Sequence, residues 1–198
     1  VALVNWVVGL LAVPRMLPRM DFSAGIPAEY RTLVVVPTLI FGADNIEHLV
    51  ESLEVRFLAN RDGNLHFGLL TDFRDADRAI LPEDDALLEL ACRRIGELNE
   101  KYGGGENATF FLFHRPRCWN AAEGAWMGYE RKRGKLAALD ALLRGGARED
   151  FSRIVGATAV LAGVKYVITL DTDTQLPHDA ARQCAGVMAH PLNRARYD

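Results

Sequence analysis

YVITLDTDTQLP, residues 166–177, is the segment from which the architecture of this chain is best predicted. An apolar, β-branched run leads into Asp171 and Asp173, and Pro177, which cannot donate to a sheet ladder, follows. This composition predicts a strand that ends at two carboxylates. Because residues two apart on an extended chain point to the same face, we expect both carboxylates to meet just beyond the carboxyl end of the strand.

Two carboxylates at that position suit a hard divalent cation. Mg²⁺ prefers a few carboxylate oxygens, several waters and the phosphate oxygens of a substrate. In an open parallel sheet, ligands bind outside the carboxyl ends of the strands. The sequence therefore predicts a metal site at Asp171 and Asp173 beside a phosphate-bearing ligand. The alternative is a strand end with solvated turn acids.

Composition limits the class of protein. A chain of 198 residues with 49% hydrophobic residues is long enough for one globular α/β domain. A formal net charge of −3, with 25% charged residues, gives no field that would attract nucleic acid, so we expect no nucleic-acid partner. Cys92, Cys118 and Cys184 show no metal-ligand spacing, which favours a reducing compartment over a disulfide framework or a zinc site.

The chain opens on an apolar run, residues 1–13, interrupted only by Asn5. It is shorter than the roughly 20 residues that cross a bilayer and lacks a preceding basic region, so it is a poor signal peptide. We expect a piece of a longer protein. The run is then either the tail of a membrane helix, with Arg15 and Arg19 on its cytoplasmic flank, or a buried element of a soluble domain.

The rest of the chain alternates strand and helix patterns. A linker rich in Pro and Gly at residues 14–29 separates the apolar run from a domain at residues 30–198. The ranges 119–134 and 151–163 are respectively loop-like and ambiguous. Alternation of this kind predicts βαβ units on a mostly parallel sheet. The predicted strands are 31–37 (stopped by Pro37), 65–71, 109–114 and 166–170; the predicted helices are 44–60 (capped by Asp44 or Asn45), 82–102 (ended by Gly103 to Gly105), 135–143 and 179–190.

Polar side chains follow each predicted strand. Thr38 follows the first, Thr71 and Asp72 end the second, and His114 and Arg115 end the third. An acid there can accept hydrogen bonds from a ring imide or a ribose hydroxyl, and nearby cations can meet a diphosphate. Together with the two aspartates, these groups indicate a nucleotide-diphosphate pocket.

A basic stretch precedes the third predicted helix. It comprises Arg131, Lys132, Arg133 and Lys135, and it is either a solvated basic face or a phosphate contact. The chain contains no GxGxxG, GxxxxGK[ST] or GxSxG motif, which removes the usual dinucleotide, P-loop and serine-hydrolase interpretations. Of the histidines, only His114 is placed where it is a candidate for catalysis.

The combined motifs resemble a known family. ITLDTDTQLP, the strand ends at Pro37-Thr38 and Thr71-Asp72, and residues 131–143 (RKRGKLAALDALL) are similar to the nucleotide-binding half of a GT-A type glycosyltransferase. Residues 14–40 (PRMLPRMDFSAGIPAEYRTLVVVPTLI) and 127–145 (MGYERKRGKLAALDALLRG) are similar to the membrane-associated cyclic β-1,2-glucan synthases. The resemblance covers nearly the whole chain and implies a GT-A (Rossmann-like) sheet truncated after the DxD strand.

The resemblance also implies an activity: inverting transfer of glucose from UDP-glucose to a growing β-1,2-glucan, at the cytoplasmic face of the inner membrane. It implies that Mg²⁺ or Mn²⁺ is held by Asp171 and Asp173. It places donor contacts at Thr38, Thr71, Asp72, Arg133 and Lys135. Asp140 departs from the Asn that related transferases often carry. The general base of such enzymes lies downstream of the DxD, so the isolated chain is expected to bind donor without turnover.

Two alternatives compete with the transferase. ITLDTDTQL also fits the DxDxT signature of haloacid-dehalogenase-type phosphatases, with Asp171 as nucleophile and Asp173 as general acid and base. In that fold the motif normally comes first, whereas here it comes last. The other alternative is a fragment that binds a sugar nucleotide without chemistry.

Overall fold

A five-stranded sheet forms the centre of the molecule. The structure, a computed structural model, describes residues 16–102, 109–146 and 148–194. The sheet order is β6-β3-β2-β1-β7, in which β1, β2, β3 and β7 are parallel and β6 runs antiparallel to β3. The strands are β1 (Thr32–Ile40), β2 (Leu65–Phe73), β3 (Phe110–Arg115), β6 (Arg153–Val155) and β7 (Tyr166–Thr169); β4 (Cys118–Asn120) and β5 (Ala125–Met127) form a separate hairpin.

Four helices cover both faces of the sheet. They are α1 (Ala43–Ala59), α2 (Asp84–Tyr102), α3 (Arg131–Leu143) and α4 (Ala180–Ala189). Residues of α1, α2 and α4 share one buried core with Val34 and Val36, whereas α3 packs over the opposite face with Leu33 and Val35. Successive residues of β1 thus enter different cores, which explains why its sequence is apolar throughout. The predicted α/β class with a mostly parallel, Rossmann-like sheet is confirmed.

The predicted linker is partly integrated into this core. Phe22 and Ile26 are buried, and the Met20 N–H donates to the Gly186 carbonyl of α4 at 2.9 Å. The predicted domain limits at residues 1–29 and 30–198 stay a prediction. The apolar run at residues 1–13 and Gly103 to Gly105 lie outside the described residues. Within the described ranges, no helix combines the length and the apolar character that crossing a membrane requires.

Pro37 does not end the first strand as predicted. It lies inside β1 and pairs with Leu70 of β2. Val35, on the same side of the strand, accepts at its carbonyl from Leu170 N–H at 3.0 Å, and β7 ends at Thr169. The Pro37 nitrogen therefore faces the edge where β7 has already stopped, and its missing donor removes no ladder bond.

Several predicted boundaries also shift. Residues 119–134, predicted as loop, contain most of the β4–β5 hairpin and the first turn of α3, which begins at Arg131 and not at Lys135. The ambiguous range 151–163 resolves into β6 and a 3₁₀ helix, Thr158–Gly163. Helix α1 begins at Ala43 after Gly42, and Asn45 instead accepts from the Phe41 N–H at 3.3 Å.

Candidate functional site

A buried ionic cluster lies at the carboxyl edge of the sheet. Asp72 of β2 and Arg115 of β3 are register partners, so their side chains project from the same face. Helix α3 packs over that face and contributes Lys135. The three residues are 1%, 6% and 3% exposed, respectively. Charged groups this deeply buried require partners, and these three provide them for one another.

The cluster is held by short, directional contacts. Arg115 Nε donates to Asp72 Oδ1 at 2.9 Å and Arg115 Nη2 donates to Asp72 Oδ2 at 3.0 Å, which makes a bidentate pair. Lys135 Nζ lies 3.0 Å from Asp72 Oδ2 and donates to the Thr38 carbonyl at 2.6 Å. Asp72 therefore ties together β2, β3 and α3, and Lys135 adds the end of β1.

The cluster has one more positive than negative charge. Burial lowers the pKa of Lys135, and the neighbouring Asp72 carboxylate opposes that shift. An ammonium has three donors, and two of the three on Lys135 are used. Asp72 accepts three hydrogen bonds of the roughly four that a carboxylate can take. One donor and one acceptor site thus remain for a ligand.

A strained turn brings α3 to this cluster. Glu130 and Arg131 have φ angles of 51° and 48°, in the left-handed region that costs non-glycine residues about 1–2 kcal/mol each. Gly134 lies where a Cβ would be 2.0 Å from the Tyr129 carbonyl oxygen. Arg115 Nη2 donates to that carbonyl at 3.1 Å and to the Arg131 carbonyl at 3.3 Å. The same guanidinium therefore holds both Asp72 and the turn.

A pocket of about 210 Å³ opens beside the cluster. Its walls include Thr38 from β1, Asp72 from β2, and Lys132 and Lys135 from α3. Gly128, from the segment before α3, and the charged residues Asp75 and Arg131 also line it. Of the predicted donor contacts, the structure thus brings together Thr38, Asp72 and Lys135.

The two aspartates of the DxD lie on a turn and not on extended chain. Strand β7 ends at Thr169, and the Thr174 N–H donates to the Asp171 carbonyl at 3.1 Å. The expectation that an extended backbone aligns Asp171 and Asp173 was therefore wrong. Asp171 pairs with Lys132, which also lines the pocket, so an ion pair links the turn to the pocket wall.

Arg56 of α1 holds the DxD turn in place through hydrogen bonds from its guanidinium. Its Nη2 donates to the carbonyls of Thr172 at 2.8 Å and Thr174 at 2.9 Å, and Nε donates to the latter at 3.2 Å. Arg56 is 6% exposed, and burial lowers its pKa. Asn60, the residue that follows α1, donates to the Leu176 and Pro177 carbonyls. These contacts fix an otherwise exposed segment to the core.

Thr71 and Arg133 lie apart from the pocket. Thr71 is fully buried on the opposite face of the sheet, where its Oγ1 is 2.9 Å from His114 Nδ1. Arg133 is 79% exposed at its side chain and pairs with Glu130. The donor-binding roles predicted for these two residues stay predictions, but neither is in contact with the Asp72 cluster.

His114 and Arg117 form a second polar group on the face opposite α3. Burial lowers the pKa of His114 to about 4, so the imidazole is neutral near pH 7. Arg117 forms a buried ion pair with Asp84 and packs on the ring of Phe73 at 4.8 Å. Its Nε donates to the Arg74 carbonyl at 2.6 Å, which holds the segment after β2 in place. This group has a structural role.

The donor set of the DxD turn fits a hard cation. Asp171 and Asp173 offer carboxylate oxygens, the ligands that Mg²⁺ and Mn²⁺ favour, and both residues are exposed. Among the residues that the structure describes, no group of three or more His, Cys, Asp or Glu side chains could hold a metal. Two carboxylates would therefore hold such an ion together with waters and phosphate oxygens of a ligand.

The sequence indicated Arg115 only as a cation at a strand end and Lys132 only as part of a basic stretch, and it did not single out Gly128 or Arg56. An Arg at a strand end and a Gly in a loop are ordinary features. The available signal for Arg115 was its position at the end of the third strand, beside the acid at the end of the second. Arg56 gave no signal, because its partners are backbone carbonyls 116 and 118 residues away.

Fold and site together define a Rossmann-like α/β domain with a cation-rich pocket at the carboxyl ends of its parallel strands. The chain is 47% identical, over 192 residues, to the cyclic β-(1,2)-glucan synthase NdvB of Rhizobium meliloti (strain 1021). The match covers 97% of this chain and 7% of that relative, so the chain spans a small part of the relative's length. The predicted resemblance to cyclic β-1,2-glucan synthases is confirmed. No family model matches the chain.

Proposed function

We propose that this chain is the donor-binding part of a glycosyltransferase that transfers glucose from UDP-glucose to a growing β-1,2-glucan. The observation that carries the proposal is that Asp72 and Lys135 line one pocket together with Lys132, whose ammonium pairs with Asp171 of the DxD turn. The similarity to a cyclic β-(1,2)-glucan synthase supports this function over the phosphatase alternative. The acceptor, inverting chemistry and a location on the cytoplasmic side of the inner membrane are parts of the same proposal.

The cluster around Asp72 is suited to the nucleoside end of the donor. The acceptor site left on Asp72 can take one hydrogen bond from the uracil imide or a ribose hydroxyl. The remaining N–H of Lys135 can donate to a carbonyl or a phosphate oxygen. Because the cluster carries one excess positive charge in a buried setting, an anionic ligand lowers its electrostatic energy. Thr38 shares this wall, and its backbone carbonyl accepts from Lys135 Nζ.

The opposite side of the pocket is suited to the diphosphate. Lys132 is half exposed, and its ammonium is held only by an exposed carboxylate, so it is free to turn towards a phosphate. Asp171 and Asp173 would hold Mg²⁺ or Mn²⁺, which when bound supplies charge neutralisation for the departing UDP. Arg133, on the same first turn of α3, remains a proposed contact through its long side chain.

Calorimetric titration tests this function. UDP-glucose is titrated into the chain with and without Mn²⁺, and the titration is repeated with Asp171→Asn and Asp173→Asn. Asp140→Asn is the matched control, since Asp140 is also 63% exposed and is also paired with a basic side chain. We expect metal-dependent binding that both DxD variants lose and the control keeps, without glucose transfer by the isolated chain. If the chain is folded but does not bind UDP-glucose and instead hydrolyses a phosphomonoester, the proposal is wrong.

A further inference from the structure

Arg115 occupies an unusual place in the cluster. Within the described part of the chain, the pocket wall contains Asp72 and Lys135 but not Arg115, which borders a separate cavity with Tyr129 and Gly134. The guanidinium is therefore not among the groups that line the pocket beside Asp72. It makes four contacts, two to the Asp72 carboxylate and two to backbone carbonyls of the turn before α3.

These contacts join the end of β2 to the turn that begins α3. The Asp72 carboxylate belongs to the end of β2, whereas the Tyr129 and Arg131 carbonyls bracket the strained turn that starts α3. Left-handed backbone at Glu130 and Arg131 persists only where surrounding contacts determine it. Arg115 provides such contacts on both sides of Glu130. Lys132 and Lys135 follow directly, so their positions depend on this turn.

We propose that Arg115 is a positioning residue that locks Asp72 to the turn at residues 129–131 and so sets the spacing between Asp72 and the two lysines of α3. This inference rests on the proposed function, because it assigns the spacing to UDP-glucose recognition. The planar fork of arginine is needed, since it binds a carboxylate with two parallel bonds while its outer nitrogen reaches the carbonyls. A lysine keeps the charge but lacks this fork.

The test compares Arg115→Lys with Arg117→Lys. Arg117 is a matched control, because it is also 6% exposed and also pairs with an aspartate and with backbone carbonyls, but its partner Asp84 lies outside the pocket. Affinity for UDP-glucose is measured by calorimetry with Mn²⁺, and amide hydrogen exchange is measured across residues 128–136. Thermal unfolding of both variants provides the comparison for general destabilisation.

We expect Arg115→Lys to weaken UDP-glucose binding about tenfold to 100-fold, as is usual when a partner behind a ligand-binding group is lost. Exchange should rise within residues 129–135 in this variant and not in Arg117→Lys, even when the two melt at the same temperature. Equal affinity and equal exchange in the two variants would overturn the proposal. If the unaltered chain does not bind UDP-glucose, the proposed function fails, while the exchange comparison still decides whether Arg115 holds the turn.

A measurement on the unaltered chain covers the case in which Arg115→Lys does not fold. The Nε–H groups of buried arginines give resolved signals in ¹H–¹⁵N spectra. Adding UDP-glucose and the diamagnetic Mg²⁺ should shift the Arg115 Nε–H signal, because its acceptor Asp72 Oδ1 is the carboxylate oxygen with a site left for ligand, and should leave that of Arg117 in place. An unmoved Arg115 signal in the saturated complex contradicts the inference.

Discussion

Gly128 and Asp72 are in such close contact that no side chain fits between them. A Cβ built on Gly128 would lie 2.2 Å from Asp72 Oδ2 and 2.4 Å from its Cγ. Real contacts of this kind are never so short, so any side chain at position 128 must displace the carboxylate. Because that carboxylate holds both Arg115 and Lys135, the backbone at Gly128 sets the position of the whole cluster.

Gly128→Ala is expected to lower the free energy of unfolding by about 2–3 kcal/mol, as overpacking at a buried site does. It should also weaken UDP-glucose binding, since Asp72 moves. Gly96→Ala is the control: Gly96 lies inside α2 with open space around it, and alanine there should raise stability by about 0.5–1 kcal/mol. Urea unfolding and calorimetry measure the two effects. A Gly128→Ala protein that binds normally would contradict the role of Asp72.

The free energy of unfolding should decrease as the pH falls, because of the buried imidazole of His114. Burial lowers the pKa of His114 from 6.5 to about 4. Between these two pH values the unfolded chain therefore binds a proton at this residue and the folded chain does not. The stability due to the neutral imidazole is therefore complete above pH 6.5 and is lost as the pH falls towards 4, by about 2–3 kcal/mol at pH 4.5.

His114→Gln should flatten this dependence, because glutamine does not titrate. His178→Gln, at an exposed position, should keep the slope of the unaltered protein. The free energy of unfolding in urea at pH 7.0 and pH 4.5 gives the comparison, and carboxylates that titrate in the same range cancel between variants. If the free energy of unfolding of His114→Gln changes between pH 7.0 and pH 4.5 as much as that of the unaltered protein, this explanation is wrong.

Lys132 is expected to compete with the metal for Asp171. In the unliganded protein its ammonium binds the Asp171 carboxylate, but both side chains are more than half exposed, so the pair is weak. Lys132→Met should strengthen Mn²⁺ binding alone by roughly two- to fivefold. It should at the same time weaken UDP-glucose binding, because a phosphate contact is lost. Manganese titration by electron paramagnetic resonance tests this, with Arg144→Met, further along α3, as the control.

Arg56→Lys should weaken Mn²⁺ binding without touching either aspartate. The guanidinium holds the Thr172 and Thr174 carbonyls together, and a single ammonium cannot hold both in the same geometry. We expect faster amide exchange at residues 171–175 and an Mn²⁺ affinity lower by about tenfold. Arg94→Lys, at a half-exposed ion pair on α2, should change neither. If amide exchange at residues 171–175 becomes faster in Arg56→Lys but the Mn²⁺ affinity is unchanged, the turn does not hold the metal.

Much of the fold follows from local sequence. Continuous apolar runs predicted β1, β2 and β3, because strands buried on both faces have no polar alternation. The apolar run of β7 predicted that strand too, although it lies at the edge of the sheet with Val167 exposed. The three-residue strands β4, β5 and β6 were missed or left ambiguous, since so short an element has no measurable period. Pro37 stands inside β1 because β7 is too short to need its donor, a fact of sheet order that no local pattern contains.

The site was predictable only where strand ends carry it. Asp72 and the Thr38 carbonyl lie at neighbouring strand ends, as the parallel sheet requires, and helix α3 adds Lys135. The side chain of Thr71 lies away from Asp72, because neighbours in sequence along a strand point to opposite faces. The positions of Asp171 and Asp173 depend on a turn held by Arg56, which is distant in sequence and therefore gave no signal.

The most direct test of the donor site is to locate bound Mn²⁺ in crystals grown with UDP. Data collected near the manganese absorption edge give an anomalous peak that marks the ion unambiguously. The account predicts a peak at coordination distance, about 2.0–2.4 Å, from carboxylate oxygens of Asp171 or Asp173, with the uridine beside Asp72 and Lys135. A complex in which UDP is bound but manganese and nucleotide lie away from these residues would contradict it.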